Sequence, residues 1–207
     1  MRHAGALIAA AAILASGCST IDRFNPFASS SGPKMAELQA IEARIDTPVV
    51  WKESVGKSDD YVFTPMIVGS SVYAAGARGE VLRIDDGSVR WKINAGQNLS
   101  AGVGSDGRIV VVGSPKGDVI AFDAADGKER WRAKVSSDIL AAPAVDGGLV
   151  VVRSGDNRLY GFDAGDGKRK WVYQRSTPAL SLRSFAAPLL DNNYAFAGFP
   201  GGKLVAV

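Results

Sequence analysis

The chain has 207 residues, with 24 lysines and arginines against 21 acidic residues, one cysteine and one histidine. The net charge of +3 is too small to predict a nucleic-acid-binding surface. Because His3 and Cys18 both lie at the N-terminus, the rest of the chain has no Ser-His-Asp or Cys-His catalytic set and no His- or Cys-ligated metal site. We therefore expect no catalytic residue, no metal site and no cofactor.

Residues 1–17 are a predicted export signal. Arg2 supplies a positive charge, and the apolar run at 4–14 is too short to span a bilayer, which takes about 20 helical residues. The run ends in Leu-Ala-Ser-Gly-Cys, which resembles the bacterial lipobox, so we expect Cys18 to be acylated; an ordinary secretory peptide is the alternative. Ser19 does not match the signal for retention in the inner membrane. We therefore expect a lipid anchor in the outer membrane, with the folded part on the periplasmic face.

Residues 18–46 are predicted to be a lipidated N-terminus and tether. Serine, glycine and proline are frequent at 19–34, a composition that cannot build a core. Apolar residues at 35, 38, 41 and 45 have helical spacing, which predicts a short helical turn there.

The remaining residues, 47–207, contain a repeat of forty residues. The four tryptophans are spaced by that period, and a glycine stands four residues before each of the last three: Trp51, Trp91, Trp131 and Trp171, with Gly87, Gly127 and Gly167. Each glycine follows an aspartate, and Asp-Gly favours a tight hairpin turn. Four short strands in about forty residues match one propeller blade. We expect each tryptophan to pack between one blade and the next, which is a structural role rather than a ligand-stacking one.

The predicted fold is therefore all-β, a β-propeller of four-stranded antiparallel blades. The blades are expected at 61–94, 99–135 and 138–175, with a fourth from about 184 that reaches Val207 after three strands. Residues 47–56 are expected to form an orphan outer strand. A small closed ring is one interpretation, since propellers have about 4–8 blades. Our preferred interpretation is about four blades of an eight-bladed propeller.

The recurring pattern Ala-x-Asp-x-x-x-Gly-x-x-x-Trp resembles the repeat of pyrroloquinoline-quinone-type propellers. That resemblance includes quinoprotein dehydrogenases, which carry an adjacent-cysteine disulfide and an acidic calcium site. Cys18 is the sole cysteine, so the disulfide cannot form here. An aspartate that recurs in every blade is more typical of a turn than of a catalyst. We expect no enzyme, and a quinoprotein oxidoreductase remains the alternative.

The lipobox, the tether, the blades and the segment YQRSTPALSLRS at 173–184 together resemble the BamB family of outer-membrane lipoproteins. The resemblance implies a scaffold that aids folding and insertion of outer-membrane proteins by binding BamA, the barrel-inserting subunit. Leu180-Ser181-Leu182-Arg183 matches the family's Leu-x-Leu-Arg element. This implies that Leu180 and Leu182 dock in an apolar groove, and that Arg183 pairs with an acidic or carbonyl group. Nascent outer-membrane proteins are a further implied partner, through exposed strand edges.

The same segment is unusual without any resemblance. It is longer than the links between the earlier blades, and it presents two leucines and an arginine where a polar loop is expected. Such leucines either fold under the loop as a small satellite core or are offered to a partner. Arginine is enriched among interface hot spots, so Arg183 should matter at least as much as the leucines. An anchored propeller that binds another periplasmic protein or a polysaccharide is a third interpretation.

Overall fold

The computed structural model describes residues 37, 45, 47–176 and 183–207. All the described strands lie in one compact unit, residues 49–207. Cys18 and nearly all of the predicted tether and helical turn lie outside the described residues. No helix in the described part is long and apolar enough to cross a membrane.

In the described part of the chain, fifteen antiparallel strands form four sheets, each a blade in chain order. Blade one consists of β1 (Met66–Val68), β2 (Ser71–Ala75), β3 (Glu80–Asp85) and β4 (Ser88–Asn94). Blade two consists of β5 (Ala101–Ser105), β6 (Ile109–Gly113), β7 (Asp118–Asp123) and β8 (Glu129–Lys134). Blade three consists of β9 (Ala144–Asp146), β10 (Leu149–Ser154), β11 (Arg158–Asp163) and β12 (Arg169–Gln174). Blade four has three strands, β13 (Leu189–Asp191), β14 (Tyr194–Phe199) and β15 (Lys203–Ala206). The predicted all-β propeller with four-stranded antiparallel blades is confirmed.

The core lies in layers between adjacent blades. Alternate side chains of one strand enter different layers, so that Val110 and Val112 face blade one while Val111 faces blade three. This explains why β6 is buried along its whole length, whereas β12, at the outer edge, alternates between exposed and half-buried positions. A two-sided burial of this kind needs an uninterrupted apolar strand rather than an alternating one.

Close approach of the inner strands depends on small residues in β5. A side chain at Gly104 would overlap the carbonyl oxygen of Pro143 in the link to blade three. On the other side, a Cβ at Gly102 would lie 2.6 Å from the backbone nitrogen of Thr64. Blade two can therefore touch both neighbours backbone to backbone only because glycine stands at these positions.

Each of the first three tryptophans lies over the Asp-Gly turn that begins the outer strand of the next blade. The ring of Trp131 packs on Gly167, and its indole Nε1 donates a hydrogen bond of 2.9 Å to the carbonyl oxygen of Ala164. Trp91 repeats the arrangement one blade earlier, on Gly127, with a bond of 3.0 Å to the carbonyl of Ala124. Trp51 likewise packs on Gly87. Trp171 packs on Gly161 of its own blade and joins the layer between blades three and four.

The outer strand predicted at residues 47–56 is not formed, so that prediction is wrong. Among the described residues no strand runs beside this segment, and a strand needs a neighbour to complete its hydrogen-bond ladder. Trp51 is accordingly 44% exposed, although it contacts blade one. Directly after this segment, the carbonyl of Lys57 accepts a hydrogen bond from the backbone nitrogen of Ala77 in blade one.

Candidate protein-binding site

The candidate site lies at one end of blade three, beside the link to blade four. Three parts of the chain meet there because antiparallel pairing brings strand ends together: residues 135–143 before β9, the turn at 155–157, and residues 175–176 and 183–188 between β12 and β13. The Asp-Gly turn at 163–169 lies at the opposite end of β12. Leu180 and Leu182 lie outside the described residues, and Arg183 is described.

Arg183 is exposed and forms one ion pair. Its Nη2 donates to the Oδ2 of Asp138 at 2.7 Å, and the side chains are 72% and 16% exposed. A pair this exposed contributes about 0–1 kcal/mol to stability. The Arg183 guanidinium can therefore exchange this carboxylate for another at small cost.

Asp138 is held in place by its neighbours. Its Oδ1 accepts a 2.8 Å hydrogen bond from the Ser137 hydroxyl, and its carbonyl accepts one of 2.8 Å from the backbone nitrogen of Gly155. Glycine at position 155 leaves room for this carboxylate, because a side chain there would displace it. The acid is therefore a fixed negative charge, whereas Arg183 is the movable member of the pair.

A second arginine, Arg153, lies near the end of β10 and is only 5% exposed. Its Nη1 donates to the Ser184 hydroxyl at 2.9 Å, and its guanidinium carbon lies 5.2 Å from the centre of the Phe199 ring. No carboxylate in the described part of the chain pairs with it. Burial lowers the pKa of Arg153, because desolvation disfavours the charged form.

Between the two arginines lies a cavity of about 120 Å³. Its walls include Asp138, Leu140, Arg153, Arg183 and Ser184. Two guanidinium groups and one carboxylate leave this cavity one positive charge in excess. It suits a small anionic group.

A polar network stiffens the wall beside the cavity. The carboxylate of Asp156 accepts hydrogen bonds from the hydroxyls of Ser136 and Ser154 and forms an ion pair with Arg158. Burial alone would raise the pKa of Asp156, but these hydrogen bonds and the arginine outweigh it, and the pKa is lowered. The network ties the turn at 155–157 to the link that carries Asp138.

Sequence analysis missed both Asp138 and Arg153. One signal was present for Arg153, because it interrupts the apolar run of a buried strand at the position that Gly113 occupies forty residues earlier. Nothing in the sequence indicated Asp138, which lies 45 residues from Arg183. Within the described residues there is no group of three or more side chains that could hold a metal ion.

Comparison with known proteins gives a consistent set of relatives. The family model described as "Outer membrane protein assembly factor BamB" matches residues 77–207, more than half of the chain. The chain is similar to the outer membrane protein assembly factor BamB of Bordetella pertussis, with 41% identity over 98% of this chain and 52% of the relative. It is 47% identical to that of Pseudomonas aeruginosa, over 100% of this chain and 53% of the relative. The chain spans about half the length of the curated relatives it matches.

Solved structures agree with this. The crystal structure of BamB from Moraxella catarrhalis matches 72% of this chain and 46% of that one, with a TM-score of 0.67 and 29% identity. A europium-containing methanol dehydrogenase matches 60% of this chain and 26% of that one, with a TM-score of 0.52 and 22% identity. At that identity the likeness shows the fold alone.

Proposed function

The chain belongs to the family of the outer membrane protein assembly factor BamB, and from this premise we propose that it is a non-catalytic scaffold for outer-membrane protein assembly. It binds a BamA-like barrel-inserting subunit and so aids the folding and insertion of outer-membrane β-barrel proteins. Nascent outer-membrane proteins are a further proposed partner. An acylated Cys18 anchors the chain to the outer membrane, on the periplasmic side.

A scaffold role is supported by the chemistry of the site. Outside residues 1–18 the chain has no histidine and no cysteine, so the site has neither an imidazole base nor a thiol nucleophile. Its acids and arginines pair with each other or with hydroxyl groups. Such a site recognises a charged group without reacting with it.

The partner assignment depends on the exposure and position of Arg183. This residue is an exposed guanidinium, held by a single exchangeable ion pair, on the longest link between blades. Leu180 and Leu182 precede it directly in sequence. In the proposed complex Arg183 transfers to an acidic or carbonyl group of the BamA-like subunit, and the two leucines fill an apolar groove beside it. Arginine in such a position is a common interface hot spot.

Co-purification from the native host tests the proposal. The full-length tagged protein is extracted from outer membranes in mild detergent, as wild type, as Arg183→Ala and as Leu180→Ala/Leu182→Ala. Arg90→Ala is the matched control, because Arg90 is 67% exposed and forms an ion pair with Asp85. Arg90 lies beside the Asp-Gly turn of blade one, which is at the blade end opposite to the one that carries the site in blade three. All variants must be shown to be folded and membrane-bound.

We expect the barrel-inserting subunit to co-purify with wild type and with Arg90→Ala, and to be reduced at least tenfold with the other two variants. Absence of that subunit from the wild-type preparation would contradict the proposed function. Equal recovery with all variants would contradict the site.

A further inference from the structure

We propose that Arg153 is a second, buried arginine of this site, and that Arg153 and Arg183 together bind a carboxylate side chain of the protein partner. In the free protein Asp138 occupies the Arg183 half of this site. The inference rests on the proposed function and deepens it, because it names the group that the partner must supply: an aspartate or a glutamate that enters the cavity.

The first argument is the cost of Arg153 to the fold. Arg153 is 5% exposed as a residue, so burial removes hydration from its guanidinium, and a hydroxyl group and an aromatic ring replace that hydration only in part. The same position in blade two is Gly113, so the propeller repeat does not require an arginine there. A buried charge without a counter-ion is poor for stability, which suggests a role in recognition.

The second argument is charge complementarity. The cavity of about 120 Å³ is lined by both arginines and has one carboxylate to balance them. A further carboxylate would neutralise the site, and the planar fork of a guanidinium matches the two oxygens of a carboxylate. Arginine on a rigid strand is well prepared for such a contact because little side-chain freedom remains to be lost on binding.

The third argument concerns Asp138, which is the group that an incoming acid must displace from Arg183. Asp138 is fixed by Ser137 and by the backbone of Gly155, so it stays in the cavity wall when Arg183 moves. Its negative charge then opposes the acid of the partner. Neutralising Asp138 should strengthen binding rather than weaken it.

The residues that line the cavity favour a protein carboxylate over a free anion. Arg183 and Ser184 line it, and they directly follow Leu180 and Leu182, the residues proposed to contact the partner. One partner surface can therefore offer an apolar groove to the two leucines and place an acid on the arginines. Inorganic phosphate is used below as the probe for a free-anion site.

The test is a binding titration of the purified full-length protein with the purified periplasmic part of the barrel-inserting subunit from the same bacterium. The variants are Arg153→Met, Arg153→Lys, Asp138→Asn and Arg183→Ala, with Arg90→Ala as the control. The thermal midpoint of each variant is recorded alongside its Kd. Methionine keeps an unbranched side chain of similar length but removes the charge.

We expect Arg153→Met to raise Kd at least tenfold while its thermal midpoint stays equal to or above that of wild type. Asp138→Asn should lower Kd severalfold, and Arg90→Ala should leave it unchanged. If Arg153→Met does not fold, Arg153→Lys takes its place, because lysine keeps the charge but not the fork, and a Kd raised at least threefold is then expected.

Four results would overturn the inference. A Kd equal to that of wild type in a folded Arg153 variant would show that Arg153 is not part of the site. If Arg183→Ala still binds more weakly than wild type, the proposed function stands. Loss of thermal stability in parallel with binding would assign Arg153 a structural role. A thermal midpoint that rises with added inorganic phosphate in wild type but not in Arg153→Met, without any change in Kd, would indicate a free-anion site. Absence of binding by wild type would defeat the proposed function and this inference together.

Discussion

Gly167→Ala should be much more destabilising than its size suggests. Gly167 has φ of +73° in the Asp-Gly turn of blade three, and a Cβ there would lie 2.6 Å from the Trp131 ring. The left-handed backbone costs a non-glycine residue about 1–2 kcal/mol. Overpacking against a fixed ring adds about 1–3 kcal/mol. The ring cannot retreat easily, because its Nε1 is bonded to the carbonyl of Ala164 in the same turn.

Gly148→Ala is the matched control for this prediction. Gly148 lies in another hairpin turn of the same blade, with φ of +81°, and nothing lies within 4 Å of the Cβ it would gain. Gly148→Ala should cost only the strain of a left-handed backbone at a non-glycine residue, about 1–2 kcal/mol. The difference between the two variants therefore isolates the contact between a tryptophan and the next blade.

Urea unfolding of the full-length protein, followed by tryptophan fluorescence, measures this difference. We expect Gly167→Ala to lose about 3 kcal/mol and Gly148→Ala about 1 kcal/mol, with similar m-values. Equal losses would refute the reasoning, because they would mean that the Trp131 ring moves freely and that docking on the turn contributes nothing.

Three further predictions use the same measurement. Trp131→Ala should cost about 3–5 kcal/mol and Trp51→Ala clearly less, because Trp131 is 7% exposed and Trp51 is 44% exposed; similar losses would contradict this. Gly104→Ala should leave little folded protein, because its methyl group would overlap the carbonyl of Pro143; a wild-type urea midpoint would contradict it. The backbone nitrogen of residue 125 and the guanidinium at 130 hold the pKa of Asp123 below its usual 3.8. Its stabilising effect is therefore present above about pH 4 and lost as the pH falls through the lowered pKa, so Asp123→Asn should flatten the loss of stability below about pH 4; an unchanged acid slope would contradict this.

The fold could be predicted from the sequence because its repeat is local and strict. A forty-residue tryptophan period, with Asp-Gly four residues earlier, places three hairpins and the strands around them, and the resulting all-β propeller is confirmed. The family resemblance, drawn from the repeat and the Leu-x-Leu-Arg element, is also confirmed. Residues 47–56 were wrongly predicted to be a strand, because the position of Trp51 in the repeat cannot show whether a neighbouring strand is available.

The candidate site could be predicted only in part, because its main contacts join distant residues. Arg183 stood out by its place in a long link, but its partner Asp138 belongs to the preceding link and is brought there only by the packing of blade three. In the sequence, Arg153 is a single charged residue near the end of an apolar strand. Its burial, and its position across a cavity from Arg183, depend on the packing of blade four against blade three.

Site-specific photo-crosslinking in living cells tests the central claim most directly. A photoreactive amino acid is placed in the full-length protein at Ser176, exposed in the link after β12, or at Asp126, exposed in an Asp-Gly turn at the opposite end of a blade. We expect Ser176 to form an adduct with the barrel-inserting subunit, and Asp126 to form none. An adduct from Asp126 alone, or none with that subunit from Ser176, would contradict the assignment of this end of blade three as the surface that binds the assembly machinery.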